Sequence, residues 1–215
     1  MIELQLTPLP EAEREEAARI RALQSGSEEA FSWLISQYAQ PVFRLASRIL
    51  TDASDASDVV QEVFLKVFRN IGKFESGCSL KTWIYRITVH TASNQNRWWR
   101  RHRERELPLD GSPAEDARGS ILAVSDTAGP LELLLSRETQ QMVRQALSRL
   151  SESSRTVLVL REIEGLSYEE VSEVLHVNLG TVKSRLARAR QTLRSELEPV
   201  MEPELAQWPA LRTAE

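Results

Sequence analysis

The placement of proline constrains this chain more than any other feature of its sequence. None of its nine prolines lies between residues 42 and 107 or between 131 and 198, whereas Pro108, Pro113 and Pro130 fall between those spans. A proline inside a helix removes a backbone hydrogen bond and clashes with the preceding turn, so long proline-free blocks are where helices can run. Gly111, Gly119 and Gly129 share the intervening stretch, a composition that suits a connecting segment. No alternating apolar-polar run is bounded by hairpin turn residues. The expectation is an all-α chain of two helical domains joined by a flexible linker. An N-terminal extension covers 1–14, the first domain 15–105, the linker 106–130 and the second domain 131–198. The tail 199–215, with three prolines in its length, is expected to be disordered.

In the first block the spacing predicts helices over roughly 11–25, 28–39, 41–51, 55–71 and 80–104. Ser27 suits a cap for the second, Pro41 an opening residue for the third, and Asp55 a cap for the fourth. Gly72 and Gly77 bracket the turn into the fifth. Val59, Val60, Val63, Phe64, Val67, Phe68 and Ile71 recur at spacings of three and four, a wide apolar stripe expected to be buried. In the second block Leu133, Val143, Leu147 and Leu150 mark a first helix. Ser151 can cap the next, which ends near Gly165.

The string that follows, LSYEEVSEVLHVNLGTVKSRLARARQTL, has the layout of a helix-turn-helix. Ser167 and Glu170 form a capping box, each able to satisfy a backbone N–H of the other. The helix is expected to run to about Leu175 and to turn through His176, Val177 and Asn178. At about 100° per residue, Val182, Leu186, Ala189 and Leu193 of the second helix cluster on one side and must face a core. Ser184, Ala187, Arg188 and Gln191 stand opposite, flanked by Lys183 and Arg190 on one shoulder and Thr181 and Arg185 on the other. A helix N-terminus with that exposed face can enter a major groove, its first turns near base edges and its later arginines near phosphates.

A formal net charge of −4 argues against a nucleic-acid partner only until the charges are located. Residues 81–105 hold Lys81, Arg86, Arg97, Arg100, Arg101, Arg103 and Arg105 against Glu104 alone. Residues 179–194 hold Lys183, Arg185, Arg188, Arg190 and Arg194 and no acid. Residues 106–130 carry five acids against Arg118. Two basic segments separated by an acidic one favour phosphate binding at two places. The first segment also carries Trp83, Tyr85, Trp98 and Trp99. Aromatic faces with cations suit a strand whose bases have left the stack. Trp83, Ile84 and Ile87 are expected to pack on the 55–71 helix. Adjacent Trp98 and Trp99 cannot both face one core, so at least one is exposed.

Other classes are disfavoured. No apolar run is long enough to span a bilayer, and the acidic N-terminus has no signal-peptide core. The single cysteine, Cys78, fits a reducing cytoplasm and reads as a small buried or loop residue. There is no phosphate-binding glycine motif and no metal-spaced cluster, and three scattered histidines make no triad, so neither an enzyme nor a cofactor is expected.

Three segments together resemble the extracytoplasmic-function (ECF) group of sigma factors in the sigma-70 family, close to the envelope- and heat-stress (sigma-E-like) type. They are DASDVVQEVFLKVFRNIGKF (55–74), SLKTWIYRITVHTASN (79–94) and RLSESSRTVLVLREIEGLSYEEVSEVLHVNLGTVKSRLARAR (149–190), and the likeness covers roughly residues 15–198. The resemblance implies that 15–105 is a region 2 bundle and 131–198 a region 4 helix-turn-helix. It implies docking on core RNA polymerase through Asp58, Gln61, Glu62, Lys66 and Arg69. It implies recognition and melting of the −10 promoter element by the segment from Ser76 through the 80–104 helix, with Ser79, Lys81, His90, Asn94, Arg97, Trp98 and Arg101 as contacts. His90 stands where the family usually has Asn. It implies reading of the −35 element by Thr181, Lys183, Ser184, Arg185 and Arg188. Promoter DNA and an anti-sigma factor are the further partners implied, the latter often at the inner membrane, with the chain itself cytoplasmic and not an integral membrane protein.

As a flexible coil the 25 linker residues span roughly 28 Å, and fully extended about 80 Å. Promoter elements some twenty base pairs apart lie about 70 Å apart, at about 3.4 Å per pair. A free tether rarely holds that separation, so the polymerase surface must act as the ruler. The alternatives are a helix-turn-helix regulator that binds an operator without polymerase and a helical adaptor. The adaptor leaves both basic segments unexplained. Trp208 in the tail can serve as a partner anchor or as nothing at all.

Overall fold

The computed structural model of the chain describes residues 11–75, 77–106 and 137–201. Among them every regular element is helical. The first half comprises α1 (Glu11–Gln24), α2 (Glu28–Ile49), α3 (Ala56–Asn70) and α4 (Leu80–Glu106), with short 3-10 turns at Ala53–Asp55 and Ile71–Lys73. The second comprises α5 (Arg137–Arg149), α6 (Glu152–Leu158), α7 (Tyr168–Leu175) and α8 (Leu179–Met201). A π turn over Val159–Ile163 follows α6 without a break. The expected extension up to residue 10, the linker beyond Glu106, Leu133, Ser76 and the tail from 202 with Trp208 lie outside the described residues.

Several helix starts follow from their caps. The Ser27 hydroxyl accepts from the Ala30 N–H at 3.2 Å, and Ser151 does the same for the Ser154 N–H at 3.3 Å. Both satisfy a donor that the first turn leaves without an intrahelical partner. Asp55 departs from the expectation: it precedes α3 but its side chain makes no cap bond. Asp52 instead caps the 3-10 turn, and the Asp55 carboxylate accepts a hydrogen bond from the Trp99 indole of α4.

Pro41 also departs from its expected role. The two helices expected over 28–39 and 41–51 are one, and Pro41 lies inside it. An interior proline costs about 3 kcal/mol. Here Leu34, Val42, Leu45, Ala46 and Ile49 form one buried side that runs through the proline. Burying each large aliphatic side chain is worth about 1.5–3 kcal/mol, which outweighs the single break. Pro199 similarly lies within α8, so the helix extends to Met201 and the tail begins later than residue 199.

Region 15–105 packs α2, α3 and α4 around Leu34, Leu45, Val59, Val63, Val67, Ile84, Tyr85 and Ala92. Asn96 of α4 ties off the end of α2. Its side-chain amide donates to the Ile49 carbonyl at 3.2 Å, and its oxygen accepts from the Thr51 N–H at 2.9 Å. In the second half Val171, Val174, Val182, Leu186 and Ala189 close the angle between α7 and α8 over α6. The two halves also pack on each other, α7 against α4 and α6 against α2, so that both contribute to one continuous apolar core. The two-domain expectation made no provision for that contact.

Candidate nucleic-acid interface

Three helical faces carry the expected site residues. On α3, Val59, Val63 and Val67 turn inward, which leaves Asp58, Gln61, Glu62 and Arg69 together on the opposite side at helical spacing. Two apolar residues share that face: Leu65 is 48% and Phe68 62% exposed. Phe68 was expected in the buried stripe, but on the helical wheel it sits at the margin, too far round from Val63 to reach the core. Its ring instead lies 5.0 Å from that of Phe31 on α2, one helical turn before exposed Ile35. Sequence reasoning missed this apolar patch, and the exposed position of Leu65 was its available signal. Lys66 lies at the inner edge of the group, between it and α4: its ammonium pairs with Glu62 at 3.3 Å and donates to the Thr91 hydroxyl of α4 at 3.1 Å.

On α4, Ile84, Tyr85, Thr88 and Ala92 face the core. His90, Asn94, Arg97 and Arg101 recur at spacings of four, three and four on the other side, a single stripe. The side chains of the first three are linked: His90 Nδ1 lies 3.2 Å from the Asn94 amide nitrogen, and Arg97 donates to Asn94 Oδ1. Trp98 and Trp99 are both substantially exposed, at 42% and 37%. Trp98 stacks on His102 with ring centres 3.8 Å apart. Trp83 is half-buried and packs on Phe74, with ring centres 5.1 Å apart, as well as lining a surface cleft. Ser79 opens α4, its hydroxyl accepting from the Thr82 N–H at 3.1 Å. Lys81 does not join the stripe: its ammonium reaches the Glu164 carbonyl of the other half at 3.4 Å. Cys78 is a half-buried loop residue whose thiol pKa burial pushes up.

The helix-turn-helix forms as its sequence requires. Ser167 and Glu170 make both bonds of the capping box, at 3.1 and 2.7 Å. His176 ends α7 in the left-handed region, φ 51°, a structural role. Asn178 then caps α8, its side-chain oxygen accepting from the Thr181 N–H and hydroxyl at 2.8 and 2.9 Å. Val182, Leu186 and Ala189 are buried, which sets Lys183, Ser184, Ala187 and Arg188 on the exposed side with Thr181 and Arg185 half-buried at its edges. Arg190, expected on a shoulder of this face, is held by Glu162 at 2.5–3.1 Å, a pairing that raises its pKa.

A cleft of about 1010 Å³ lies between the two halves, lined by Lys66, Arg86 and His90 from one side and Glu152, His176 and Arg185 from the other, and of the residues expected at DNA only His90 and Arg185 reach it. A second basic hollow runs along α3 and α4 and includes Asp58, Glu62, Asn94, Arg97, Trp98 and Arg101. Among the described residues no His, Cys, Asp and Glu group has metal-binding arrangement, and no helix is long and apolar enough to cross a membrane.

Comparison with known proteins is consistent along the chain. The family model for Sigma-70 region 2 matches residues 34–105, and that for Sigma-70, region 4 matches residues 140–193. The chain is 36% identical over 187 residues to the RNA polymerase sigma-H factor of Pseudomonas aeruginosa, covering 85% of this chain and 93% of the relative. The chain belongs to the ECF sigma factors of the sigma-70 family. It is also 37% identical over 188 residues to the ECF RNA polymerase sigma-E factor of Haemophilus influenzae, covering 86% of this chain and 96% of that one. Its fold matches the sigma factor RpoE from Bartonella quintana, solved with the anti-sigma factor NepR, at a TM-score of 0.59 and 24% identity over 78% of this chain and 96% of that chain. The first half of the chain is thus sigma region 2 and the second region 4. As a sigma factor it serves transcription initiation by directing RNA polymerase to promoters, and the family is not one of enzymes.

Proposed function

We propose that this sigma factor divides its work among the three faces described above. The outer face of α3, with Asp58, Gln61, Glu62 and Arg69 around Leu65 and Phe68, docks on core RNA polymerase. Lys66 supports that surface by bridging it to α4. The α4 stripe of His90, Asn94, Arg97 and Arg101, with Trp98 beside it, receives the opened −10 strand, cations meeting phosphates and the tryptophan offering a stacking face. Ser79 and Lys81 serve at the head of that helix. The exposed face of α8, with Thr181, Lys183, Ser184, Arg185 and Arg188, reads the −35 element in the major groove. The observation that carries this reading is the pairing of two basic reading faces on separate halves of one chain with an apolar patch on the outer side of α3.

The chain works in the cytoplasm, in a stress response, and is restrained by an anti-sigma factor, as its relative from Bartonella quintana is found with one. The test is run-off transcription with purified core polymerase on a genomic promoter library. A defined subset of promoters fires only when the chain is added. Initiation that ignores the chain would end the proposal, and so would specific operator binding by the chain alone.

A further inference from the structure

The helix α1 carries none of the residues assigned to polymerase or promoter, yet two of its side chains hold the start of α4 and the turn before it. Ile20 and Leu23 bury one side of α1 in the region 2 core. Beside that side, the Glu16 carboxylate accepts from the Leu80 N–H, the first of α4, at 3.0 Å. The Gln24 amide donates to two main-chain carbonyls, Ile71 at 3.3 Å and Phe74 at 3.0 Å. The Phe74 ring in turn packs on Trp83 in the first turn of α4, with centres 5.1 Å apart. Both residues therefore reach the head of α4, Glu16 directly and Gln24 through Phe74.

These contacts fix the head of α4 in place. A helix leaves its first four N–H groups without intrahelical partners. Ser79 takes the Thr82 N–H at 3.1 Å and Glu16 the Leu80 N–H, one acceptor local and the other 64 residues back. An ionised acceptor makes such a bond stronger than a neutral one, and a carboxylate also suits the positive end of the helix dipole. Glu16 and Gln24 are eight residues apart on α1, which is about 12 Å along the axis at about 1.5 Å per residue. The helix is thus a strut with one hold at the exit of α3 and the other at the entry of α4.

We propose that Glu16 and Gln24 are positioning residues for the −10 strand: they touch no DNA and set where the head of α4, with Ser79 and Lys81, meets it. The proposal rests on the reading above that α4 receives that strand. A base that has left the stack is held in a close-fitting pocket, and a site loses discrimination when the residues that support it loosen. Loss of either hold frees the first turn of α4, while the stripe of His90, Asn94 and Arg97 further along stays packed on the bundle. The effect therefore falls on the bases met by the head of α4 and spares the rest of promoter recognition.

The test uses the full-length chain on core polymerase, with run-off initiation from one responsive promoter and from each single-base change in its −10 element. Glu16→Ala removes the acceptor, Glu16→Gln keeps an acceptor oxygen, and Gln24→Glu sets a carboxylate against two carbonyls at unchanged size. Asn94→Ala, in the stripe, is the reference for the −10 assignment. Polymerase affinity, −35 discrimination and helicity are measured on the same preparations. Glu16→Ala and Gln24→Glu are expected to lower discrimination several-fold at some −10 positions, with the other three quantities at parental values. Glu16→Gln is expected to restore most of the loss. If Glu16→Ala loses helicity, Gln24→Glu decides alone. Parental −10 discrimination in both α1 variants overturns the positioning role. So does an equal fall in −10 discrimination, −35 discrimination and polymerase affinity, which marks a general loss of fold. If the α1 variants are parental and Asn94→Ala is defective, the positioning role alone fails; if Asn94→Ala is parental as well, the assignment of the stripe fails with it. A fall in the α1 variants beside a parental Asn94→Ala keeps the positioning role and removes the stripe.

Discussion

The guanidinium of Arg155 donates to the main-chain carbonyl of Ile49 at 2.9 Å, joining residues 106 positions apart. That carbonyl also accepts from Asn96 at 3.2 Å, and Asn96 in turn accepts from the Thr51 N–H. The end of α2 is thus held by one residue from its own half and one from the other. The two substitutions should differ. Asn96→Ala removes two hydrogen bonds at the end of α2, from the Thr51 N–H and to the Ile49 carbonyl, a loss of about 1–3 kcal/mol. Arg155→Met removes a buried cation whose pKa desolvation already lowers, and Asn96 keeps the Ile49 carbonyl satisfied. Urea unfolding should show the larger destabilisation for Asn96→Ala. A larger loss for Arg155→Met would mean that the contact between halves, and not the end of α2, dominates stability.

The outer face of α3 predicts a second pair of effects. Phe68 is 62% exposed, so Phe68→Ser should leave the melting temperature within a few degrees of the parent's while lowering affinity for core polymerase. Asp58→Arg should lower that affinity as well, without loss of helicity. Titration of labelled chain with core polymerase measures both, and parental affinity in both variants would remove α3 from the docking surface.

On α8, Arg188→Ala and Lys183→Ala should weaken initiation that depends on the −35 element and leave polymerase binding intact. A good base contact discriminates by about 1–3 kcal/mol, on the order of tenfold or more in promoter occupancy. Loss of a side chain that meets only phosphate lowers binding across all sequences and flattens the salt dependence. Run-off assays on promoters with altered −35 sequences separate the two roles. Equal loss of polymerase binding and initiation would contradict the assignment.

The start of α8 depends on Asn178, whose side-chain oxygen holds the Thr181 N–H at 2.8 Å. Asn178→Ala should cost about 1 kcal/mol, the usual worth of such a cap. Because the cap sets the first turn of the reading helix, promoter discrimination should fall with it while polymerase affinity holds. Thermal unfolding and run-off transcription on the same preparation check the two effects.

What was legible in the sequence was local. Ser27, the Ser167 and Glu170 pair, and the Val182, Leu186 and Ala189 stripe each have a signal within one or two helical turns, and each forms as expected. Pro41 misled because a proline's local cost is visible in sequence, whereas the buried side of α2 that outweighs it is formed by partners far along the chain. Phe68 misled because hydrophobicity was read without its angle from the stripe's centre. The faces of α3, α4 and α8 that carry the candidate site residues were legible as exposed sides of amphipathic helices, apart from Lys66 and Lys81, which long side chains carry to α4 and to Glu164. The contact between halves was not legible at all. Tyr85 and Glu164 are 79 residues apart, and no periodicity links them.

The central claim is that specificity resides in two faces that polymerase must hold apart. Footprinting of one responsive promoter, with the chain alone and with the chain on core polymerase, tests this most directly. The account predicts protection of the −10 and −35 elements together only when polymerase is present, and no specific footprint from the free chain at the same concentration. Equal protection of both elements by the free chain would contradict it.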